Sequence, residues 1–258
     1  MDLTGATVLV TGANRGIGAA LAHELAAQPL AMLLLGARDP AKVAPPPGAR
    51  AVRMDLSSRE SIEACCAGLG DELHSIDVLV NNAGQMTGGL LEDQPLADVY
   101  AMFQVNLVAV AHLTARVLPG MVGRGRGLVV NNASISGYAS FPAASTYAAA
   151  KAGVVAFSES LRREVKPAGV DVMHLVTPGV RTEMLDDTQA LYGMHMDTSD
   201  WPSVTPEQWA AKAVKGMRAG DHVVGPGGRL AFAKLASRGP AFLLDAVADR
   251  MFSRAPRA

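Results

Sequence analysis

Short apolar runs that alternate with helix-length segments are the feature that most constrains this fold. Seven such runs recur along the chain, at residues 7–10, 32–35, 51–54, 78–80, 128–130, 170–173 and 222–224. Strands buried on both faces have this composition, and strands separated by helices form βαβ units around a parallel sheet. Because βαβ crossovers are right-handed, the pattern predicts a doubly wound α/β sheet with helices on both faces.

Composition narrows the class of protein further. The 258 residues carry a net charge of -1, so the chain lacks the basic surface that binds nucleic acid. We find no linker or repeat and expect one domain over residues 1–258. The adjacent cysteines Cys65 and Cys66 suit neither a disulfide nor a metal site. With no leader sequence and no apolar run of about 18 residues, we expect a cytoplasmic protein.

A glycine motif follows the first apolar run and opens a segment of helical period. It reads Thr11-Gly12-Ala13-Asn14-Arg15-Gly16-Ile17-Gly18. Gly12 permits a tight turn, Gly16 lets the backbone approach a pyrophosphate, and Gly18 brings the helix close to the strand. The N–H groups of the helix N-terminus can bind the phosphates. This order of elements predicts a Rossmann-type dinucleotide site, whereas the motif alone is also compatible with an ordinary turn.

Cofactor choice is indicated at the end of the second run. There the chain reads Gly36-Ala37-Arg38, without the acidic residue that would bond the ribose 2′-hydroxyl of NAD. A guanidinium binds a 2′-phosphate, so Arg38, with Arg15 as a second contact, predicts NADP(H) in preference to NAD(H). A solvated Arg38 is the alternative. Asp55 either accepts a hydrogen bond from adenine or belongs to the first turn of the next helix.

Polar residues near three further segments form a candidate catalytic centre. Tyr147 and Lys151 are four residues apart in a strong helix-forming stretch and therefore share one face. An ammonium near a phenol lowers its pKa from about 10, which makes Tyr147 a usable acid or base. Ser134 follows the fifth run, where its hydroxyl can polarise a carbonyl. Asn106 interrupts an apolar helical pattern and needs a partner, which a water leading to Lys151 would supply.

These motifs together resemble the short-chain dehydrogenase/reductase family over nearly the whole chain. The matching residues are the glycine motif, Asn81-Asn82-Ala83-Gly84, Asn106, Ser134 thirteen residues before Tyr147, Tyr147 with Lys151, and Pro178-Gly179. The resemblance implies a single-domain, seven-stranded parallel sheet. It also implies an NADP(H)-dependent enzyme that interconverts a carbonyl and a secondary alcohol on an apolar small molecule.

The resemblance also implies a role for each residue of the site. Tyr147 would exchange a proton with the substrate oxygen that Ser134 holds, Lys151 would bond the nicotinamide ribose, and Asn106 would hold a relay water. Thr182 would bind the carboxamide, although it follows Pro178 by four residues, whereas the family commonly has five. The implied cofactor contacts are Gly12, Asn14, Arg15, Gly16, Ile17, Gly18, Arg38, Asp55, Leu56, Asn82, Ala83, Gly84, Tyr147, Lys151, Pro178, Gly179 and Thr182.

Two segments near the C-terminus are predicted to shape the substrate end. A substrate loop over residues 183–206 is rich in apolar side chains that either close over a substrate or pack beneath a long loop: Met184, Leu185, Leu191, Tyr192, Met194, Met196 and Trp201. An amphipathic helical extension over about 229–254 would cover the active site or a neighbouring subunit, with membrane contact as the weaker alternative. Family resemblance implies a homodimer or homotetramer built on helices at about 96–118 and 147–165.

Two other functions share parts of this pattern. A sensor or scaffold could bind NADP without turnover, but such a protein would be expected to have lost Tyr147 or Lys151. Epimerases and dehydratases of the extended relatives share the Tyr/Lys pair, yet they carry another glycine spacing and a larger C-terminal domain. The sequence therefore favours a reductase or dehydrogenase.

Overall fold

A seven-stranded parallel sheet forms the centre of the protein. The computed structural model describes residues 1–196, 201–227 and 253. The strands lie in the order β3-β2-β1-β4-β5-β6-β9. Their bounds are β1 Thr7–Thr11, β2 Met32–Ala37, β3 Ala49–Arg53, β4 Val78–Asn81, β5 Gly127–Asn132, β6 Val170–Leu175 and β9 Val223–Val224. Each of the seven apolar runs overlaps one of these strands, so the predicted doubly wound parallel sheet is confirmed.

The strand order places a ligand crevice beside β1. From β1 the chain adds β2 and β3 on one side, and it then returns to place β4, β5 and β6 on the other. Val8 pairs with Leu33 of β2 and with Val78 of β4, so β1 is hydrogen-bonded on both edges. Ligands of open α/β sheets bind beyond the carboxyl ends of the strands at such a switch point.

Helices cover both faces of the sheet because successive strand residues point to opposite sides. The helices are α1 Gly16–Ala26, α2 Arg59–Leu69, α3 Asp71–Ser75, α4 Leu96–Phe103, α5 Ala109–Arg124, α6 Ser145–Val165, α7 Glu183–Tyr192 and α8 Pro206–Ala219. Val8 and Val10 pack into a core with Leu21 of α1 and Trp209 of α8. Leu9, on the opposite face, belongs to a second core beneath α2 and α5.

The long helix that was predicted over residues 96–118 continues to Arg124 and contains a π-helical turn at Gln104–Val108. Pro119 lies inside α5, where its ring is exposed, and the helix ends instead at Gly125 in a left-handed conformation. By length and composition alone, Leu96–Arg124 could cross a membrane. Buried residues such as Leu113 pack under the sheet, and core helices of soluble proteins meet the same criterion.

The predicted substrate loop is not a continuous loop. Residues Glu183–Tyr192 form α7, whose first turn contains acidic side chains that favour a helix N-terminus. Ser203–Val204 forms a short strand, β8, that pairs in parallel with β7, Gly179–Val180. The predicted helix over 229–254 lies outside the described residues apart from Ser253.

Candidate active site

The glycine loop joins β1 to α1 and requires its three motif glycines. Gly12 and Gly16 have φ values of +65° and +54°, which strain any residue with a side chain. A Cβ on Gly12 would lie 2.8 Å from the Cα of Ala83, and one on Gly18 would lie 2.0 Å from the carbonyl oxygen of Gly12. The loop therefore packs backbone against backbone, and the N-terminus of α1 opens towards the cleft.

Hydrogen bonds from the end of β4 hold this loop in place. The Asn82 side-chain amide donates to the carbonyl oxygen of Thr11 at 3.0 Å, and the Thr11 hydroxyl accepts from the backbone N–H groups of Asn82 and Ala83 at 3.0 Å each. Asn82 in turn accepts a hydrogen bond from the side chain of Asn132 at 3.1 Å. Asn82 was predicted to contact the cofactor, and here it also orders the phosphate loop.

Asn132 is a residue that the sequence analysis missed. Its side chain accepts a hydrogen bond from the Thr177 hydroxyl, and its carbonyl oxygen accepts one from Lys151 Nζ at 2.7 Å. The available signal was a pair of Asn-Asn sequences, 81–82 and 131–132, which end neighbouring strands in register. Two polar residues at the ends of two buried strands indicate a shared site.

All the predicted cofactor residues line one cleft of about 1280 Å³. The cleft begins near Arg38 and Asp55, passes the glycine loop and reaches Ser134, Tyr147 and Lys151. Pro178, Gly179 and Thr182 also border it. The structure therefore brings together motifs that are up to 170 residues apart in sequence, from Gly12 to Thr182.

The two arginines predicted to bind a 2′-phosphate differ in their partners. Arg38 is exposed at the rim of the cleft, whereas Arg15 forms an ion pair with Glu183, the first residue of α7. Asp55 accepts a hydrogen bond from the Ser57 N–H at 3.0 Å in the turn before α2, and it lies outside the first turn of that helix, whose N-cap is Ser58. Partial burial raises the Asp55 pKa, but hydrogen bonds from Ser57 and the charges of Arg38 and Arg53 outweigh it and lower the pKa overall.

Tyr147 and Lys151 lie on the buried face of α6. Lys151 Nζ is 5.7 Å from the centroid of the Tyr147 ring. Ser134 follows β5, forms a hydrogen bond with Tyr147 and accepts one from the Ser136 N–H at 3.1 Å. The three side chains are buried and line the same end of the cleft. This arrangement places a proton donor and a second hydroxyl group beside one substrate oxygen.

Burial moves the pKa values of both ionisable groups towards their neutral forms. It raises the Tyr147 pKa to about 12, and the hydrogen bond from Ser134 opposes the rise. It lowers the Lys151 pKa to about 8. The spacing of Tyr147 and Lys151 predicted a lowered Tyr147 pKa, and that prediction is wrong in direction here because desolvation outweighs the hydrogen bond from Ser134.

Asn106 lies behind the cleft in the π-helical turn. Its side-chain oxygen accepts from the Gln85 N–H at 2.8 Å, and its side-chain nitrogen donates to the Gln85 carbonyl oxygen at 2.8 Å. The backbone of Gln85 is therefore a partner of this side chain, and the predicted relay water stays a prediction. A Cβ on Gly84 would lie 3.4 Å from Asn106 Oδ1 and 3.8 Å from Lys151 Nζ, so Asn106 fixes the segment that borders Lys151.

Thr182 reaches the glycine loop despite its unusual spacing after Pro178. Its methyl carbon would lie 3.1 Å from a Cβ on Gly16, and its hydroxyl donates to the Val180 carbonyl oxygen at 3.2 Å. The side chain therefore closes the cleft opposite the N-terminus of α1. Its role as a carboxamide contact stays a prediction.

The apolar residues of the predicted substrate loop divide into three groups. Met184, Leu185, Tyr192 and Trp201 line the cleft. Leu191 and Met196 pack with Ala143 and Ala144 in a small core, as the alternative interpretation held, and Tyr192 and Trp201 also belong to this core. Met194 is 56% exposed and belongs neither to the lining of the cleft nor to the small core.

The fold and the site together define the class of protein to which the chain belongs. A doubly wound sheet with a glycine loop at its switch point binds a dinucleotide, and the serine, tyrosine and lysine at the same edge can move a proton at a substrate oxygen. These features are those of a dinucleotide-dependent oxidoreductase.

Comparison with known proteins identifies the family. The profile of the family described as short chain dehydrogenase matches residues 6–192, and the chain belongs to that family. It is 34% identical to a ketoacyl reductase HetN of Nostoc sp. over 72% of this chain and 68% of the relative. It is 35% identical to a 3-oxoacyl-[acyl-carrier-protein] reductase FabG of Vibrio cholerae over 73% of this chain and 80% of the relative.

Solved structures have the same fold. A short-chain dehydrogenase from Burkholderia cenocepacia, in complex with NADP, superposes with a TM-score of 0.83 at 21% identity and covers 96% of this chain and 99% of its own. A short-chain dehydrogenase from Sphingobium yanoikuyae, in complex with NADPH, has a TM-score of 0.72 at 26% identity. The match covers 95% of this chain and 93% of that structure's chain.

The buried Lys151 gives the protein a testable pH dependence. Its folded-state pKa is about 8, and an unfolded lysine titrates near about 10.4. The unfolded state therefore binds more protons between these values, so the free energy of unfolding should rise with pH across this window by up to about 3 kcal/mol. The raised pKa values of Cys65 and Cys66 oppose this rise from a pH of about 8.5, and that of Tyr147 opposes it above about 10. The contribution of Lys151 is therefore the difference between wild type and a variant that lacks its amine.

Urea unfolding without cofactor at about pH 7 and about pH 9.5 measures the rise. Lys151→Met should remove most of it, and Lys215→Met, on the exposed face of α8, should leave it unchanged. An equal rise in wild type and Lys151→Met would show that Lys151 is not the titrating group.

Proposed function

We propose that the protein is an NADP(H)-dependent oxidoreductase that interconverts a carbonyl and a secondary alcohol on an apolar small molecule. The observation that carries the proposal is the buried cluster of Ser134, Tyr147 and Lys151 at the end of the glycine-loop cleft. The Nostoc and Vibrio relatives are named as reductases of ketoacyl substrates, which supports carbonyl chemistry. Met184, Leu185 and Trp201 give the substrate end an apolar lining.

The residues present fit a dinucleotide. Gly12, Gly16 and Gly18 carry no side chain where the loop meets the N-terminus of α1, so backbone N–H groups can bind the pyrophosphate. Asn14, Ile17, Leu56 and Gly84 would border the cofactor along the cleft, and Pro178, Gly179 and Thr182 would hold its carboxamide. When bound, the nicotinamide supplies the hydride for reduction or accepts it for oxidation.

The proton is handled by the protein. In reduction, Ser134 donates a hydrogen bond to the carbonyl oxygen, and Tyr147 transfers its phenolic proton to that oxygen as the carbonyl carbon gains the hydride. In oxidation the tyrosine removes the hydroxyl proton. Lys151, charged below its pKa of about 8, favours the phenolate that reduction leaves behind. Asn106 holds the Gly84–Gln85 backbone beside Lys151, where a relay water would return the proton.

Arg38 would select NADP(H) through its guanidinium at the rim of the cleft. The Burkholderia and Sphingobium structures are complexes with NADP and NADPH, which supports the same cofactor here. Lys42 also lines this end of the cleft and adds positive charge. Arg38, and not a carboxylate, directly follows Ala37 at the end of β2, and the next residue, Asp39, lies 4.0 Å from Lys42.

The first test is turnover with NADPH, followed at the nicotinamide absorbance across a panel of apolar ketones. Tyr147→Phe should lower kcat/KM by roughly 10²- to 10⁴-fold, because a positioned proton donor contributes about that much. NADPH binding, measured by fluorescence titration, should persist in this variant. Tyr100→Phe, at an exposed tyrosine of α4, is the matched control. NADPH binding without turnover of any ketone in wild type would favour the sensor or scaffold.

Cofactor preference gives a second prediction. Arg38→Ala should raise the KM for NADPH by roughly 10- to 100-fold, the worth of charge-assisted hydrogen bonds, and should leave the KM for NADH nearly unchanged. Arg53→Ala removes a neighbouring exposed arginine that does not line the cleft and serves as control. An equal change in the KM values for NADPH and NADH would mean that Arg38 does not contact the 2′-phosphate.

We further propose a homo-oligomer in the cytoplasm. Leu96, Tyr100 and Val108 on α4 and the π-helical turn are 70%, 75% and 50% exposed, and an apolar helix face of this kind favours a second copy. The unpaired thiols of Cys65 and Cys66 are in keeping with a reducing compartment. Sedimentation velocity checks the assembly, and a single monomeric species at micromolar concentration would contradict it.

A further inference from the structure

Tyr192, the last residue of α7, docks that helix onto the segment after β4. Its side chain is only 2% exposed, whereas Glu183, Asp186 and Asp187 of the same helix are exposed. The ring lies directly over Gly88, where a Cβ would be 2.1 Å from Cε1 and 2.7 Å from Cδ1. Gly88 has no left-handed φ, so its backbone would accept alanine. The absence of a side chain at Gly88 thus creates the space that the tyrosine fills.

The docked ring faces the substrate end of the cleft. The Tyr192 hydroxyl donates to the Met86 sulfur at 3.1 Å and to the Thr87 carbonyl oxygen at 3.3 Å. Met86 packs against both Tyr192 and Tyr147, and all three line the cleft. Met86 and Tyr192 therefore form one wall next to the catalytic tyrosine.

Buried hydrogen bonds hold in place the segment on which the Tyr192 ring packs. The Thr87 hydroxyl lies 2.9 Å from that of Thr146, the residue before Tyr147, and Thr146 donates to Gln94 at 2.8 Å. Gln94 donates to the Gly89 carbonyl oxygen at 2.9 Å. Segment 87–94 is thus tied to the first turn of α6. A substrate group that contacts Tyr192 therefore meets a side chain that packs on a hydrogen-bonded backbone segment.

We propose that Tyr192 determines which carbonyl compounds the site accepts, by fixing α7 on Gly88 and closing the cleft beyond Met86. The inference rests on the proposed function. Substrates whose group on the Met86 side is small fit against this wall, whereas a bulky group there displaces the ring and undocks α7. The substrate class is a carbonyl compound with one compact apolar substituent.

Two substitutions from opposite sides of the contact test the proposal. Gly88→Ala should expel the ring, and Tyr192→Ala should remove it, so each should raise the ratio of kcat/KM for a bulky ketone to that for a compact one by roughly 10-fold or more. Because both act on one contact, the double variant should match either single variant. Tyr192→Phe keeps the ring and should keep the wild-type ratio. Gly123→Ala, at a glycine with open space around it, is the control.

Hydrogen exchange gives a readout that needs no turnover. Amide protection over Glu183–Tyr192 should fall to a similar degree in Gly88→Ala, Tyr192→Ala and the double variant, and should stay at the wild-type level in Tyr192→Phe and Gly123→Ala. Unchanged protection in both alanine variants would overturn the docking contact. Lost protection with an unchanged substrate ratio would overturn the role in selectivity.

The proposed function can fail separately. If wild type binds NADPH but reduces no ketone, the oxidoreductase proposal fails and the selectivity claim falls with it, whatever the exchange experiment shows. If wild type reduces ketones and the ratio stays constant in all variants, only the inference about Tyr192 fails.

Discussion

The hydrogen bonds of Asn132 connect the parts of the site on which function depends. Its side chain binds Asn82 and Thr177, and its carbonyl oxygen binds Lys151. Through Asn82 the same network reaches the carbonyl oxygen of Thr11 in the glycine loop. One residue at the end of β5 therefore links the glycine loop, the segment after β6 that precedes Pro178, and the helix that carries Tyr147 and Lys151. Displacement of any of these segments would disturb the others.

Burial of the ionisable groups in this network costs folding free energy. Tyr147 and Lys151 are both removed from water, which moves both pKa values towards the neutral forms, although Lys151 stays charged below a pH of about 8. Burial of that charge costs folding free energy, and in the proposed function the charge would stabilise the phenolate of Tyr147. The hydrogen bond from Lys151 to the Asn132 carbonyl oxygen offsets part of that cost.

The sequence predicted the features that depend on local pattern. Buried strands appear as apolar runs, and the four-residue spacing of Tyr147 and Lys151 fixes a shared helix face. Features that depend on distant partners were not accessible. Arg15 pairs with Glu183, and Asn106 pairs with the backbone of Gln85, because the fold brings these residues together. The apolar pattern predicts a helix over about 96–118, yet the chain stays helical to Arg124. The contact between Gly88 and Tyr192 is visible only in the folded structure, because the two residues are far apart in the sequence.

The central claim is that this cleft passes a hydride from NADPH to a carbonyl carbon. The most direct measurement is mass spectrometry of the alcohol formed from NADPH dideuterated at nicotinamide C4. The account predicts one deuterium on the carbinol carbon of the product. An alcohol without deuterium would show that the hydrogen comes from elsewhere and would contradict the account.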